Sequence, residues 1–581
     1  MKRATFYRHS LFTVLLAVLL LFLVWPIVLT VSGGFVDAQG SLTLRYLLGV
    51  FQDPVLMQGL VNSFLIALAT MMLCMAMALP LALLATRYDF PGKAVMSSLV
   101  LVPLILPPFV GAIGMRALLG RFGGINQALM DIGVLDPDQP GIDFLGGAVG
   151  GRFWSVVLME ALHLYPILYL NVTAALANLD PALDEAAMNL GAGRWTRFRR
   201  CTLPLIWPGL FAGGTIVFIW AFTELGTPLM FDYYTVTPVQ VFFKINEIND
   251  SPQPYALVVV MLLTAVGLYA LGKLAFGGRA YAMQSKASIA SQVRRLSGWR
   301  GVLALLAFVS VTLLAVLPHL GVVLASFTVD GTWYRSVLPQ QWTMGHYTQA
   351  LTHSLAMSSI RNSLVYALAA MVCCGVLGLT ISYLTVRVKV RGGWLLDTLA
   401  MLPLAVPGLV MAFGYVALTL AWPFGQGDPL EGWLSVLGQD PNPVPLLIIA
   451  YTIRRLPYMV RSASAGLQQT SGQLEEAALN LGASTLTAIR RIVVPLILAN
   501  LIAGAILVFS FAMLEVSDSL ILAQKEDTFP LTKAIWVFFN RLGDGPYIAS
   551  AMGVWGMALL TVTLVGASIL MGKKLGAIFR V

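Results

Sequence analysis

The run EAAMNLGAG (residues 185–193) returns 291 residues later as EAALNLGAS (476–484). Around it, 13 of the 22 aligned positions in 185–206 and 476–497 are identical without a gap, where ordinary residue frequencies would give about two. The repetition continues outward. NSFLIALAT (62–70) matches NSLVYALAA (362–370), and VPLILPPFVGAIG (102–114) matches LPLAVPGLVMAFG (402–414), both at an offset of 300. Pro166 pairs with Pro457 and Glu224 with Glu515 at 291, and Tyr255 pairs with Tyr547 at 292. The offset drops in one loop, after the third apolar segment, which is shorter in the second copy. The chain is therefore two homologous halves.

Each half is greasy. Of 581 residues, 58% are hydrophobic and 11% charged, far from the composition of soluble domains. Residues 11–30 carry no charge, a length that crosses a ~30 Å hydrocarbon core. Such runs recur, which predicts an all-α polytopic membrane protein. The expected spans are 11–33, 60–86, 95–119, 153–177, 203–225 and 254–276, then 300–327, 360–386, 395–421, 443–464, 494–516 and 547–571. This gives about twelve transmembrane helices in two six-span repeats, 1–276 and 301–581, joined by a cytoplasmic linker, 277–300. An even number of spans per half makes the repeat parallel, with its pseudo-axis along the membrane normal. The N-terminal apolar run is too long for a signal peptide and reads as an uncleaved first span.

Charge sets the orientation. With both termini in the cytoplasm, the inner loops hold Arg87 and Lys93, Arg194 to Arg200, Arg387 to Arg391, and Arg490 and Arg491. The outer loops hold acids such as Asp131, Asp136, Asp138, Asp232, Asp428 and Asp440. The net charge of +9 thus serves the positive-inside rule rather than nucleic-acid binding. The four cysteines, Cys74, Cys201, Cys373 and Cys374, have no metal-ligand spacing. The five histidines are equally scattered, so no metal site is expected.

The repeated loop has a readable local structure. Asp180-Pro181 and Asp184-Glu185 have the form of a helix start. Ala186, Ala187 and Leu190 make one small apolar face. Gly191 suits the left-handed residue that ends a helix. A second short helix carries Arg194, Arg197 and Arg199, and Pro204 opens the next span. The second copy repeats this with Glu476, Ala477, Ala478, Leu481, Gly482, Arg490, Arg491 and Pro495. So short a helix is not stable alone, which predicts a partner docked on its exposed face.

The pattern E-A-A, three residues, G, then a dozen residues to an L-P or V-P step resembles the EAA loop of ABC importer permeases. The resemblance covers nearly the whole chain. Its fused, duplicated form is similar to the permeases of iron(III)- and thiamine-type binding-protein-dependent importers. It implies a type I importer fold in the bacterial inner membrane. Each EAA loop would insert in a groove of a separate ATPase, with Glu185, Ala186, Ala187, Asn189 and Gly191 in one and Glu476, Ala477, Ala478, Asn480 and Gly482 in the other. The implied partners are an ATPase homodimer, a periplasmic or lipid-anchored binding protein that delivers cargo, and membrane lipid. A two-fold ATPase dimer offers two grooves, which explains why one chain carries the loop twice.

The ATP chemistry lies elsewhere. GLYALGKL at 267–274 lacks the Ser/Thr after Lys273 and sits within an apolar span, so it is no phosphate loop. No inner segment has room for an ATPase domain, so ATP and magnesium are expected on the partner, with no cofactor on this chain and no enzymatic site of its own.

Ionisable groups in spans mark the pathway candidates. Glu224 and Glu515 close the fifth spans and would face one another across the pseudo-axis. They either attract a cation or form an outer gate, or else simply reach the wet interface. Glu160 and His163 share a helix face, with Tyr451 and Arg454 at the equivalent positions; substrate contact and interhelical hydrogen bonding both stand. Arg116 can snorkel. Pro107 and Pro407, with Pro103, Pro108 and Pro403, interrupt the third spans, as in broken helices that line cavities or in plain packing kinks. The favoured cargo is iron(III), with thiamine, a phosphonate or another small solute as alternatives. A twelve-span transporter driven by an ion gradient is the competing class. It also predicts two halves, but not strong identity confined to one inner loop in each.

Overall fold

The computed structural model describes residues 2–37, 39–146, 150–248, 250–276, 294–438 and 440–570. Most of the expected linker and the last residues therefore lie outside the described residues. Among the described residues eight helices are long and apolar enough to span a membrane. In the first half these are His9–Gly33, Pro54–Arg87, Gly151–Ala177, Arg194–Phe222 and Gln253–Leu271; in the second, Trp299–Ser326, Ser354–Val388 and Gly545–Gly566.

Three further segments are sharply bent. Lys93–Ile105 and Pro108–Asp131 meet at 94°, and Gly393–Leu404 and Gly408–Thr419 at 108°. The expected interruption at Pro107 and Pro407 is thus a near right-angle break. Both prolines adopt extended backbone (ψ 128 and 138) and lack the N–H a continuous helix needs. The fifth span of the second half also breaks, Thr485–Leu496 against Leu498–Met513 at 81°, whereas its counterpart Arg194–Phe222 runs unbroken. Counting each bent pair once gives eleven spans. The twelfth expected span is the helix Val444–Gln469. It stands 291 residues after its equivalent in the first half, but Arg454, Arg455 and Arg461 make it too polar to pass on hydropathy. Its charges are tolerated because it is buried among the second, third and fifth segments of its half.

Inside each half the second, fourth and fifth helices pack on one another. The first spans are exchanged. Trp299–Ser326 of the second half lies against Pro108–Leu119 of the first, and Trp25–Gly33 of the first lies against Gly408–Thr419 of the second. Glycines make both crossings possible by letting backbones touch. A methyl at Gly114 would sit 2.0 Å from the Pro318 carbonyl oxygen, and one at Gly414 2.8 Å from that of Pro26. Gly114 and Gly414 are equivalent by the offset of 300, as the pseudo-two-fold reading requires. A short parallel pairing of Tyr88–Asp89 with Arg294–Arg295 fixes the entry to the second half beside the second span of the first.

Between the fifth and sixth spans the sequence reading expected plain outer loops. The chain instead forms buried short helices, Gly226–Met230 and Thr237–Phe243 in one half, Ser517–Leu522 and Leu531–Phe539 in the other. Their anchors repeat: Ser63 Oγ accepts from Thr237 N at 2.9 Å, and Ser363 Oγ from Leu531 N at 2.7 Å. Asn62 and Asn362 likewise donate to carbonyls of the loops before them. The halves touch here, with Phe242 edge-on to Trp536 at 5.7 Å.

Candidate functional site

Two places carry the candidate residues: the repeated inner loops and a polar cluster within the membrane. The first loop folds as the helix Pro181–Asn189, started by Asp180, whose carboxylate accepts from Ala182 N at 2.9 Å. It begins earlier than the short Ala186–Leu190 turn and so uses the whole capping signal. The second loop folds as Gln473–Asn480. Both end on the expected left-handed glycine, Gly191 at φ 82 and Gly482 at φ 91. Glu185, Ala186 and Asn189 are exposed, as are Glu476, Ala477 and Asn480; Ala187 and Ala478 are half-buried. Leu190 is 88% and Leu481 90% exposed, a pair of apolar knobs uncovered to the same degree.

The inner faces of these helices differ. In the first loop Asp184 pairs with Arg197 at 3.0 Å. In the second, Glu475 is buried and accepts a short hydrogen bond from the Tyr383 hydroxyl, with Arg387 3.8 Å away.

The membrane cluster treats the two carboxylates unequally, and Glu515 does not reach a wet interface. Glu515 is 4% exposed and takes Arg454 on one oxygen and Arg455 on the other. Arg454 also reaches Asp518 at 3.4 Å. The Tyr451 hydroxyl bonds that of Ser519 at 2.6 Å, and the Ser519 and Thr532 hydroxyls donate to the Glu515 carbonyl. The neighbouring arginines and this clamp make Glu515 part of a neutralised, hydrogen-bonded knot. Glu224 is half-buried and accepts from Gly226 N at 3.1 Å and Thr227 N at 3.4 Å, capping the short helix that follows. The two segments still meet: a methyl at Gly226 would lie 2.8 Å from Val516 and 2.9 Å from Phe109. Glu224 is within electrostatic reach of Arg454, and Glu160 within reach of Glu224.

Glu160 and His163 do not bond each other. His163 Nδ1 bonds the Pro103 carbonyl at 2.8 Å, and His319 Nε2 the Pro107 carbonyl at 3.1 Å. Pro107 has no N–H to offer the Pro103 carbonyl, and His163 supplies the replacement; the Pro107 carbonyl keeps Gly111 N at 3.1 Å and takes His319 as a second partner. Arg454 occupies the matching place in the second half: a methyl at Gly408 would collide with its guanidinium. Glu160 is 2% exposed; its carboxylate lies beside the Thr70 hydroxyl but makes no well-formed hydrogen bond among the described residues. Thr70 Oγ1, Thr227 Oγ1, Tyr415 Oη and Asp518 Oδ1 are likewise buried and unpartnered. Arg116 does more than snorkel. It donates to the Met230 carbonyl at 2.8 Å and Asp232 at 2.9 Å, and stacks over Phe539 of the other half.

Sequence reasoning missed Arg455, Asp518 and Lys533. Lys533 is 5% exposed, donates to the Leu520 carbonyl at 2.9 Å, and lies 5.3 to 5.6 Å from the rings of Trp536, Phe242 and Phe529. A lysine and an Arg-Arg pair in otherwise apolar segments were the available signals. Among the described residues no group of three or more His, Cys, Asp or Glu is placed to hold a metal ion.

Comparison with known proteins agrees with this architecture. Residues 78–277 and 375–569 each match the model of the family described as "Binding-protein-dependent transport system inner membrane component". The chain is 28% identical over 560 residues to the ferric transport system permease protein FbpB of Actinobacillus pleuropneumoniae, covering 93% of this chain and 75% of that one. It is 27% identical to the putative ferric transport system permease protein FbpB 1 of Haemophilus influenzae, covering 86% and 74%. A probable molybdenum ABC transporter permease of Haloferax volcanii is 33% identical over 267 residues, 45% of this chain and 89% of its own length. The two family matches cover most of the chain and repeat as its two halves do, so this multi-pass membrane protein belongs to the family of binding-protein-dependent transport system inner membrane components.

Proposed function

We propose that this chain is the translocation subunit of an ATP-driven importer of iron(III). An ATPase homodimer docks on its two inner loops, and a periplasmic or lipid-anchored binding protein delivers cargo to its outer face. Both termini lie in the cytoplasm. Closing of the ATPase dimer draws the loops together and opens the pathway outward; hydrolysis resets it inward. The observation that carries this reading is the matched exposure of the two loops. Leu190 and Leu481, each followed by a left-handed glycine, are 88% and 90% exposed at equivalent places of the two loops. Identical knobs suit identical grooves. Glu185, Ala186, Ala187, Asn189 and Gly191, with Glu476, Ala477, Ala478, Asn480 and Gly482, would line the two contacts.

Iron(III) as cargo rests on the ferric relatives and on charge. The cluster sets Glu160, Glu224, Glu515 and Asp518 against Arg454 and Arg455, a formal excess of acid that suits a cation better than an oxyanion. Glu224, Glu515, Pro107 and Pro407 belong to the proposed pathway, Glu515 as its anchored wall.

The test uses the chain purified with its ATPase, in liposomes with the binding protein outside. Gly191→Asp with Gly482→Asp places a charge and a strained backbone at both contacts. The expected result is loss of ATPase co-purification and of transport-linked hydrolysis while the membrane chain stays folded. Wild-type behaviour of the double variant would favour a gradient-driven transporter. Uptake of molybdate in place of iron would reassign the cargo alone.

A further inference from the structure

The two inner helices match on their outer faces and differ on their inner ones. That difference follows the chain's own duplication. Glu475 stands where Asp184 stands in the first half, by the offset of 291, and Tyr383 where Leu83 stands, by the offset of 300. Arg387 and Arg87 are conserved between the halves but point to different partners.

In the second half, the inner end of the second span turns through Tyr383–Val388 and meets the inner helix Gln473–Asn480 directly. Tyr383 and Glu475 are 8% and 7% exposed and hydrogen-bonded to each other. Arg387 Nη2 donates to both the carbonyl and the hydroxyl of Thr470 at 2.8 Å, and its Nε lies 3.8 Å from Glu475. Next to Tyr383, Ser382 Oγ accepts from Ser464 Oγ and donates to the Val460 carbonyl, each at 3.0 Å. This line of bonds joins the inner helix to the second and fourth spans. In the first half Leu83 has no hydroxyl to offer. Arg87 donates to Thr202 at 2.6 Å, beyond the inner helix. Asp184 pairs with Arg197 in the short helix that follows it, and its other oxygen has no partner among the described residues.

We propose that Tyr383, Arg387 and Glu475 form a latch that fastens the second docking helix to the second span, so that the two docking helices are unequal levers. The first is held chiefly by its own loop and follows the ATPase compliantly. The second moves with the spans and transmits ATPase closure to the pathway. Buried, charge-assisted bonds stiffen such a joint far more than a partly exposed pair confined to one loop. The levers' role in transport rests on the function proposed above; their unequal stiffness does not, and is tested apart from it.

The first measurement is amide hydrogen exchange on the full chain alone in lipid nanodiscs. Exchange in Gln473–Asn480 is expected to be about tenfold slower than in Pro181–Asn189, and Tyr383→Phe or Glu475→Gln to remove that difference. Equal rates in the wild type, or a difference that survives both variants, overturns the latch. The second measurement reads ATP hydrolysed per iron imported by the reconstituted complex. Tyr383→Phe should raise this ratio several-fold with the ATPase still bound, whereas Asp184→Asn should leave it within about twofold. Equal effects of the two variants, or loss of ATPase binding on Tyr383→Phe, would overturn the unequal-lever mechanism. Absence of ATPase binding by the wild type would instead sink the functional reading, while the exchange data still decide the latch.

Discussion

The two halves share one fold and one docking surface, yet they handle buried charge in opposite ways. In the second half, Arg454 and Arg455 are taken by Glu515 and Asp518, so the charges cancel within one cluster. In the first half the same positions carry His163, bound to a proline carbonyl, and Glu224, bound to two backbone N–H groups, while Glu160 has no cation paired with it among the described residues. On the function proposed above, a surface that fits two equal grooves would be held alike in both copies, whereas an interior that meets one cargo on one axis carries no such constraint and is free to diverge. Homologous position therefore does not establish homologous role here, as Glu224 and Glu515 demonstrate.

This contrast can be broken most forcefully at Glu515. Glu515→Ala leaves Arg455 without its carboxylate and Arg454 with Asp518 alone, at a cost of about 3 kcal/mol. Glu224→Ala removes hydrogen bonds to a helix start, at about 1 kcal/mol. Thermal unfolding of the solubilised chain should show a large loss for the first and a small one for the second; similar losses would mean that the carboxylates are equivalent after all. The exchanged crossings give the next effect. Gly114→Ala drives a methyl into backbone at 2.0 Å and Gly414→Ala only at 2.8 Å, so the former should destabilise by roughly 1–3 kcal/mol and the latter by less. The smallest effect should come from Glu160→Met. Replacing a buried carboxyl that makes no well-formed hydrogen bond by an apolar chain of similar size should raise stability by about 1 kcal/mol. A clear drop in unfolding temperature would reveal a partner for Glu160.

How much of this was legible before folding varies with range. Local signals read well: Asp180 and Pro181 starting a helix, Gly191 and Gly482 ending one, Pro107 and Pro407 breaking a span. Internal repetition gave the division into halves, since it needs only comparison of the chain with itself. The ion pairs were not legible, because Arg454 and Glu515 are separated by 61 residues and no local pattern marks their meeting. The helix Val444–Gln469 shows the same limit from the other side. Its arginines lower its apparent hydropathy, and the partners that make it tolerable inside a membrane lie elsewhere in the chain. The buried outer helices were missed because each is too short for its periodicity to stand out.

The exchange of first spans has a consequence for stoichiometry. Among the described residues, the segment Pro108–Leu119 has its glycine-paired neighbour in Trp299–Ser326, nearly two hundred residues later, so each half leans on the other for part of its packing. Two copies of the first half would bring Glu160 and Glu224 twice over and no arginine clamp. Carrying both halves on one chain raises their effective concentration for one another and fixes the ratio at one to one. Covalent fusion thereby protects the unlike interior: every folded chain receives one acidic cluster and one neutralised cluster.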